Sequence, residues 1–121
     1  MRKVVADTNG LLLPFQFRLN LDAELERLFG SHEVIVPEPV LAELEVLGQK
    51  DRRAKAALTL ARRMRSVSSG ARSAGDAVID VAMAHGACVL TNDRALLRRL
   101  KQLGIPRISL RSRSQLVLEG A

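Results

Sequence analysis

Short runs of apolar residues, many of them β-branched, alternate along this chain with longer segments of helical pattern. Four runs predict buried strands at residues 4–6, 34–36, 87–90 and 106–110. Helix caps, apolar spacing and terminal glycines predict helices at residues 20–30, 39–47, 51–66, 76–84 and 94–103. Because parallel strands are joined by helical crossovers, the alternation predicts an α/β fold: a three-layer α/β/α arrangement with a central twisted parallel sheet.

The length of the chain fits one compact unit. Domains commonly contain about 100 to 150 residues, so we expect residues 1–121 to form a single domain. A hydrophobic content of 47% supplies a core, and the one cysteine, Cys88, lies in an apolar run that predicts a buried, inert thiol. No segment approaches the roughly 18 apolar residues of a membrane span. We therefore expect a cytoplasmic protein without a membrane partner.

Positive charge is concentrated in two stretches of the sequence. The chain carries 19 basic and 13 acidic residues, a net charge of +6. Residues 50–72 contain eight basic residues and one acid, and residues 94–113 contain seven basic residues and no acid. Such stretches predict a polyanionic partner. The 2% aromatic content excludes binders that depend on base stacking.

Four acidic residues are candidates for one site. Asp7 follows the first strand, Glu43 lies on the helix after the second, Asp76 begins its helix and Asp93 follows the third strand. Taken alone, Asp7 or Asp93 is more often a turn or cap residue than a ligand, Asp76 could equally be a cap, and a Glu placed like Glu43 usually lies at the edge of the buried face. Strand-end placement nevertheless brings Asp7 and Asp93 to the same edge of a parallel sheet. Carboxylates about 4 Å apart repel by about 4 kcal/mol at an intermediate dielectric, so a cluster must be protonated or hold a cation, with Mg²⁺ or Mn²⁺ preferred by oxygen ligands.

Polar side chains flank the two strand-end acids. They are Thr8, Asn9, Thr91 and Asn92. We expect them either to orient the carboxylates through hydrogen bonds or to form the turns after the strands. Asp80 follows Asp76 by one helical turn and shares its side of the helix. It is either an outer acid of the site or the partner of a nearby arginine.

The ordered set of these motifs resembles the PIN domain family over essentially the whole chain. The matching segments are Asp7-Thr8-Asn9, Glu43 after Pro37, Gly75-Asp76-Ala77-Val78-Ile79 and Thr91-Asn92-Asp93. The resemblance implies a PIN fold and a divalent-metal-dependent endoribonuclease. It implies catalytic roles for Asp7, Glu43, Asp76 and Asp93, with Asp7, Asp76 and Asp93 as ligands of Mg²⁺ or Mn²⁺. Asp80 is the alternative to Asp76 as the third ligand.

Two branches of the family are compatible with the chain. One contains stand-alone archaeal PIN proteins related to the nucleases of ribosomal RNA processing, and the other contains the VapC-type toxins of toxin–antitoxin pairs. The resemblance therefore implies RNA as substrate, allows a homodimer, and leaves open an antitoxin or a ribosome-assembly protein as partner. The two basic stretches supply the predicted RNA-binding residues. These are Arg52, Arg53, Arg62, Arg63, Arg94, Arg98 and Arg99.

Functions of other classes use the same features. A binding or assembly module would keep the fold and recognise RNA or a protein without cleaving. A metal-dependent phosphatase or a phosphotransfer receiver also uses a strand-end aspartate. These last two are disfavoured because no second Asp stands two residues after Asp7 and no Lys follows the later strand.

Overall fold

The computed structural model describes residues 1–120, over which the chain forms six helices and six strands. In chain order these are β1 (Arg2–Ala6), α1 (Thr8–Phe17), α2 (Leu21–Phe29), β2 (His32–Pro37), α3 (Glu38–Gly48), α4 (Arg52–Ala61), β3 (Arg65–Val67), α5 (Ala74–His85), β4 (Cys88–Leu90), α6 (Arg94–Gln102), β5 (Arg107–Arg111) and β6 (Gln115–Glu119). None of the helices within residues 1–120 has the length and apolar character needed to cross a membrane.

The six strands form one sheet in the order β3-β2-β1-β4-β5-β6. The first five strands in this order pair in parallel, as the sequence predicts. The α/β class is therefore confirmed. The expected parallel sheet needs one correction, because β6 pairs with β5 in the antiparallel sense and forms one edge.

The direction in which strands are added reverses at β1. The chain first adds β2 and β3 on one side of β1, and then returns to add β4 and β5 on the other. Ala6, at the end of β1, lies beside Leu90, at the end of β4. A crevice forms outside the carboxyl ends of strands at such a reversal, and this is where ligand sites of open α/β sheets lie.

The centre of the sheet is fully buried. Val4, Val5 and Ala6 of β1 have no exposed surface, and every residue of β4 is buried. This pattern is typical of parallel strands covered on both faces. Cys88 is a free, buried thiol, as predicted from its apolar neighbours, and burial raises its pKa.

Two segments form helices differently from the prediction. α1 was not expected, because Gly10 and Pro14 interrupt the helical pattern; the Asp7 carboxylate nevertheless caps it by accepting from the Gly10 N–H. α5 begins at Ala74 instead of Asp76, because the Ser73 hydroxyl caps it by accepting from the Asp76 N–H. The sequence prediction overlooked this serine cap, which stands two residues before Gly75.

The strands β3 and β6 were also not predicted. The helix expected at residues 51–66 ends with α4, and Arg65–Val67 form a short strand beside β2. The β5–β6 turn lacks the usual Asn-Gly signal. Its two left-handed positions are occupied by Ser112 and Arg113, whose φ values are 57° and 67°. The three residues of β3, of which only Val67 is apolar, are too short a pattern to indicate a strand, and β3 forms by pairing with β2.

Candidate active site

A cleft of about 400 Å³ opens at the carboxyl ends of β1 and β4. Three of the four predicted catalytic acids, Asp7, Glu43 and Asp93, line it. They come from three separate segments: the end of β1, the middle of α3 and the end of the loop after β4. The strand-order reversal therefore brings together acids that are far apart in the sequence.

Asp7 lies at the base of the cleft and is 7% exposed. One carboxylate oxygen, Oδ1, accepts a hydrogen bond from the Gly10 N–H at 2.6 Å. The other, Oδ2, accepts from the Thr91 hydroxyl at 2.7 Å. Burial raises the pKa of Asp7 to about 6; the hydrogen bonds oppose this rise, whereas the negative charges of Asp93 and Glu43 add to it.

Thr91 links the two strand-end acids. Its side chain is fully buried and its hydroxyl donates to Asp7 while accepting from the Asp93 N–H at 3.1 Å. Asp93 in turn caps α6, because its Oδ1 accepts from the Leu96 N–H at 3.0 Å. One threonine thus fixes the orientation of Asp7 and the backbone of Asp93.

The other predicted polar residues have different surroundings. Asn9 accepts from the Asn92 N–H at 2.9 Å, and Asn92 accepts from the Leu110 N–H at 3.1 Å, so both hold the loops after the strands. Thr8 also lines the cleft, and its buried hydroxyl has no hydrogen-bond partner among residues 1–120. Asp80 is exposed on α5 and forms no ion pair within the described chain.

Asp76 faces a different partner from the other acids. Its Oδ1 accepts from Arg99 Nη2 at 2.8 Å, and both side chains are about half exposed. This hydrogen bond lowers the pKa of Asp76. Arg99 lines the cleft, whereas Asp76 does not. The structure therefore places the fourth predicted acid at the rim of the cleft, in an ion pair with an arginine predicted only to bind RNA.

Three helices begin at the cleft. Residues from the first turns of α1, α5 and α6 line it, namely Thr8, Asn9, Ala74, Gly75, Ala95 and Leu96. The N-terminal end of a helix carries partial positive charge on its free N–H groups and favours anions. The cleft thus combines carboxylates in its lining, of which only Asp7 is buried, with helix ends that attract a phosphate.

The donor set suits a hard divalent cation. Asp7, Glu43 and Asp93 offer carboxylate oxygens, and the Thr8 hydroxyl is a buried oxygen without a partner. Among residues 1–120, no three His, Cys, Asp or Glu side chains converge closely enough to hold a metal ion together. The oxygen donors thus fit a hard divalent cation in kind, but the acids do not converge on one point, and Asp76 is held by Arg99.

The predicted RNA-binding arginines are spread over two helices. Arg94, Arg98 and Arg99 belong to α6, and of these Arg99 reaches the cleft. Arg62 lies 3.4 Å from Glu45, and Arg63 lines a separate apolar groove between α1 and α4. Arg52 and Arg53 are exposed at the start of α4. Arg99 is thus the member of the set that lines the cleft together with the acidic residues.

Gly10 is a site residue that the sequence reasoning missed. A Cβ atom at this position would collide with the Leu90 carbonyl oxygen and lie 2.9 Å from Leu90 Cγ. Only a glycine allows the start of α1 to approach β4 so closely. Its place three residues after the strand-end aspartate was the available signal.

Comparisons with known proteins agree with this architecture. A family model described as a PIN like domain matches residues 4–113. Ribonuclease VapC4 of Methanocaldococcus jannaschii is 30% identical over 129 residues, covering 99% of this chain and 98% of the relative. Ribonuclease VapC9 of Archaeoglobus fulgidus is 33% identical over 112 residues, covering 88% and 81%. The chain therefore belongs to the PIN-like domain family, as its motifs indicated.

Solved structures support the same conclusion. The PIN domain endonuclease Utp24 superimposes with a TM-score of 0.85 at 28% identity, covering 98% of this chain and 92% of that one. A domain of a functionally unknown protein from Methanocaldococcus jannaschii gives a TM-score of 0.67 at 20% identity over 93% of each chain. The second likeness is one of fold alone.

Proposed function

We propose that this protein is an endoribonuclease that hydrolyses RNA phosphodiester bonds with Mg²⁺ or Mn²⁺. The observation that carries the proposal is the meeting of Asp7, Glu43 and Asp93 in one cleft at the strand-order reversal. Relatives that are similar over most of the chain bear the names of ribonucleases. The bound phosphate backbone would lie across the helix N-termini that surround the acids.

Asp7, Asp93 and Asp76 are the proposed metal ligands, and Glu43 completes the catalytic set. A bound divalent cation would supply a water of lowered pKa and would neutralise charge on the phosphate. Thr91 would orient the Asp7 carboxylate through its 2.7 Å hydrogen bond to Oδ2, and would hold the Asp93 backbone through its 3.1 Å hydrogen bond from the Asp93 N–H. The Asp80 carboxylate, exposed on the same helix as Asp76, is the alternative third ligand.

The basic residues would hold the RNA backbone. The helix α6 begins directly after Asp93 and carries Arg94, Arg98 and Arg99. These arginines would therefore contact phosphates beside the bond that is cut. Arg52, Arg53, Arg62 and Arg63 would contact the strand further away. With few aromatic side chains, the protein would grip phosphates and read few bases.

A pair of aspartates provides a matched test. Asp93 and Asp51 both cap helices by accepting from backbone N–H groups, at 3.0 Å from Leu96 and 2.8 Å from Arg53. Asparagine caps a helix about as well as aspartate, so Asp93→Asn and Asp51→Asn should both fold. We expect Asp93→Asn to abolish Mn²⁺-dependent cleavage of single-stranded RNA and Asp51→Asn to retain it. Equal activity of the two variants would contradict the proposal, and equal cleavage by wild type in chelator would remove its metal requirement.

The names of the two curated relatives favour a second candidate, a VapC-type toxin with an antitoxin partner. Expression of the wild-type chain alone should then arrest bacterial growth, and Asp93→Asn should relieve the arrest. Normal growth at confirmed soluble expression would favour a processing nuclease instead.

A further inference from the structure

The Arg99 side chain bridges two helices at the rim of the cleft. Its Nη2 donates to Asp76 Oδ1 at 2.8 Å, and it lines the cleft together with Asp7, Glu43 and Asp93. Asp76 comes from α5 and Arg99 from α6. Asp76, the one acid of the set that does not line the cleft, is thus the one paired with Arg99.

The position of the guanidinium is electrostatically unusual. Arg99 Nη1 lies 3.8 Å from the point where a Cβ on Gly75 would be, over the first turn of α5. The start of a helix disfavours a cation and favours an anion. Asp76, in the same turn, is therefore the group that keeps Arg99 there.

The ion pair is also easy to exchange. Both side chains are about half exposed, at 51% and 52%, and ion pairs at such exposure contribute little to stability. A divalent cation carries twice the charge of a guanidinium and prefers the same carboxylate oxygens. An arginine released from a carboxylate is in turn a strong ligand for phosphate.

We propose that Arg99 is a positioning residue that holds Asp76 at the rim in the metal-free protein and yields it when the metal binds. In this exchange, Asp76 joins Asp7 and Asp93, and Arg99 turns to an RNA phosphate over the start of α5. The inference rests on the proposed metal-dependent function, and adds to it a competition between a side chain and the cation for one acid.

The test measures Mn²⁺ binding to the RNA-free protein by isothermal titration calorimetry. We expect Arg99→Gln to tighten Mn²⁺ binding about two- to fivefold, because an exposed ion pair contributes only a small free energy that the cation must overcome. Lys101→Gln is the control, because it removes an equal charge from an exposed position of the same helix. In an Asp76→Asn background, Arg99→Gln should no longer change the affinity. Arg99→Gln should also weaken RNA binding in the presence of Ca²⁺.

The outcomes separate the exchange from its alternatives. Equal tightening by Arg99→Gln and Lys101→Gln would overturn the proposal, because net charge alone would explain it. Tightening that persists in the Asp76→Asn background would overturn it too, because Arg99 would act without Asp76. If wild type binds Mn²⁺ and a folded Arg99→Gln variant binds it equally or more weakly, the exchange is refuted. That result would not contradict the proposed nuclease function. Absence of Mn²⁺ binding in wild type would refute both.

Discussion

The charged form of Asp7 is costly for the stability of the fold, but the proposed metal-binding function requires it. A buried carboxyl is disfavoured in its charged form, and the raised pKa of about 6 reflects this. Both of its oxygens nevertheless accept hydrogen bonds that fix their direction. A strand-end acid held in this way is suited to a cation that would compensate the buried charge.

The pKa of Asp7 predicts how the stability of the metal-free protein changes with pH. The folded-state pKa of about 6 lies above the reference value of 3.8, so the folded state binds the proton more tightly. The resulting stability is complete below pH 4 and is lost as the pH rises through 6, by on the order of 3 kcal/mol. Asp7→Asn removes this dependence, and urea unfolding in chelator at pH 4.5 and 7.5 measures it.

An exposed acid supplies the control for this experiment. Asp80→Asn should follow the wild-type pH dependence, because its carboxyl is on the surface of α5. Identical slopes for wild type, Asp7→Asn and Asp80→Asn would show that Asp7 is not the buried acid described here.

Some residue contacts of the site could be predicted from the sequence, and others could not. Asp7 and Asp93 could be placed together because the ends of parallel strands share one edge of the sheet. The pairing of Asp76 with Arg99 could not be predicted, because it depends on the relative placement of α5 and α6 and on the direction of the long Arg99 side chain. The unsatisfied Thr8 hydroxyl likewise follows only from three-dimensional burial.

At the scale of elements, the approach of α1 to β4 positions Asp7. The Gly10 N–H binds Asp7, and the glycine itself contacts Leu90 too closely for any side chain. Gly10→Ala should therefore destabilise the fold by roughly 1–3 kcal/mol, the usual range for overpacking, and should reduce cleavage. Chemical denaturation and the cleavage assay measure the two effects.

Gly75 offers a matched control on another helix of the same cleft. A Cβ there would meet only Arg99 Nη1, at an ordinary 3.8 Å. Gly75→Ala should stabilise α5 by about 0.5–1 kcal/mol through helix propensity. If Gly10→Ala were as stable as Gly75→Ala, the close packing of α1 on β4 would be wrong.

The elements missed from the sequence share a cause. α1 contains Gly10 and Pro14, and its helical state depends on the Asp7 cap and on packing against β1, α3 and α4. β6 depends on pairing with β5 and on α2, where Glu24 accepts from the Leu116 N–H at 2.8 Å and Arg27 donates to the Leu116 carbonyl at 2.7 Å. Apart from the local Asp7 cap, these contacts are tertiary, so local pattern and propensity do not reveal them.

At the scale of the whole molecule, a basic protein surrounds a small acidic cleft. The net charge of +6 would attract RNA, while Asp7, Asp76 and Asp93 would hold the cation required for cleavage. Affinity for a single-stranded RNA in chelator should fall steeply with salt, with a slope of log K against log salt near −0.7 per phosphate neutralised. Arg98→Gln should make the slope shallower by about 0.7. A salt-independent affinity, measured by fluorescence anisotropy, would exclude backbone binding by these stretches.

In the proposed function, Asp7 and its neighbouring acids cleave RNA with a divalent metal. Its most direct test is single-turnover cleavage of an end-labelled single-stranded RNA by wild type and Asp7→Asn in Mn²⁺, with unfolding measured on the same samples. We predict that the variant cleaves at least roughly a hundredfold more slowly, as for loss of a group that stabilises developing charge, while unfolding at pH 7.5 in chelator shows it at least as stable as wild type. A folded Asp7→Asn protein that cleaves at the wild-type rate would contradict the account.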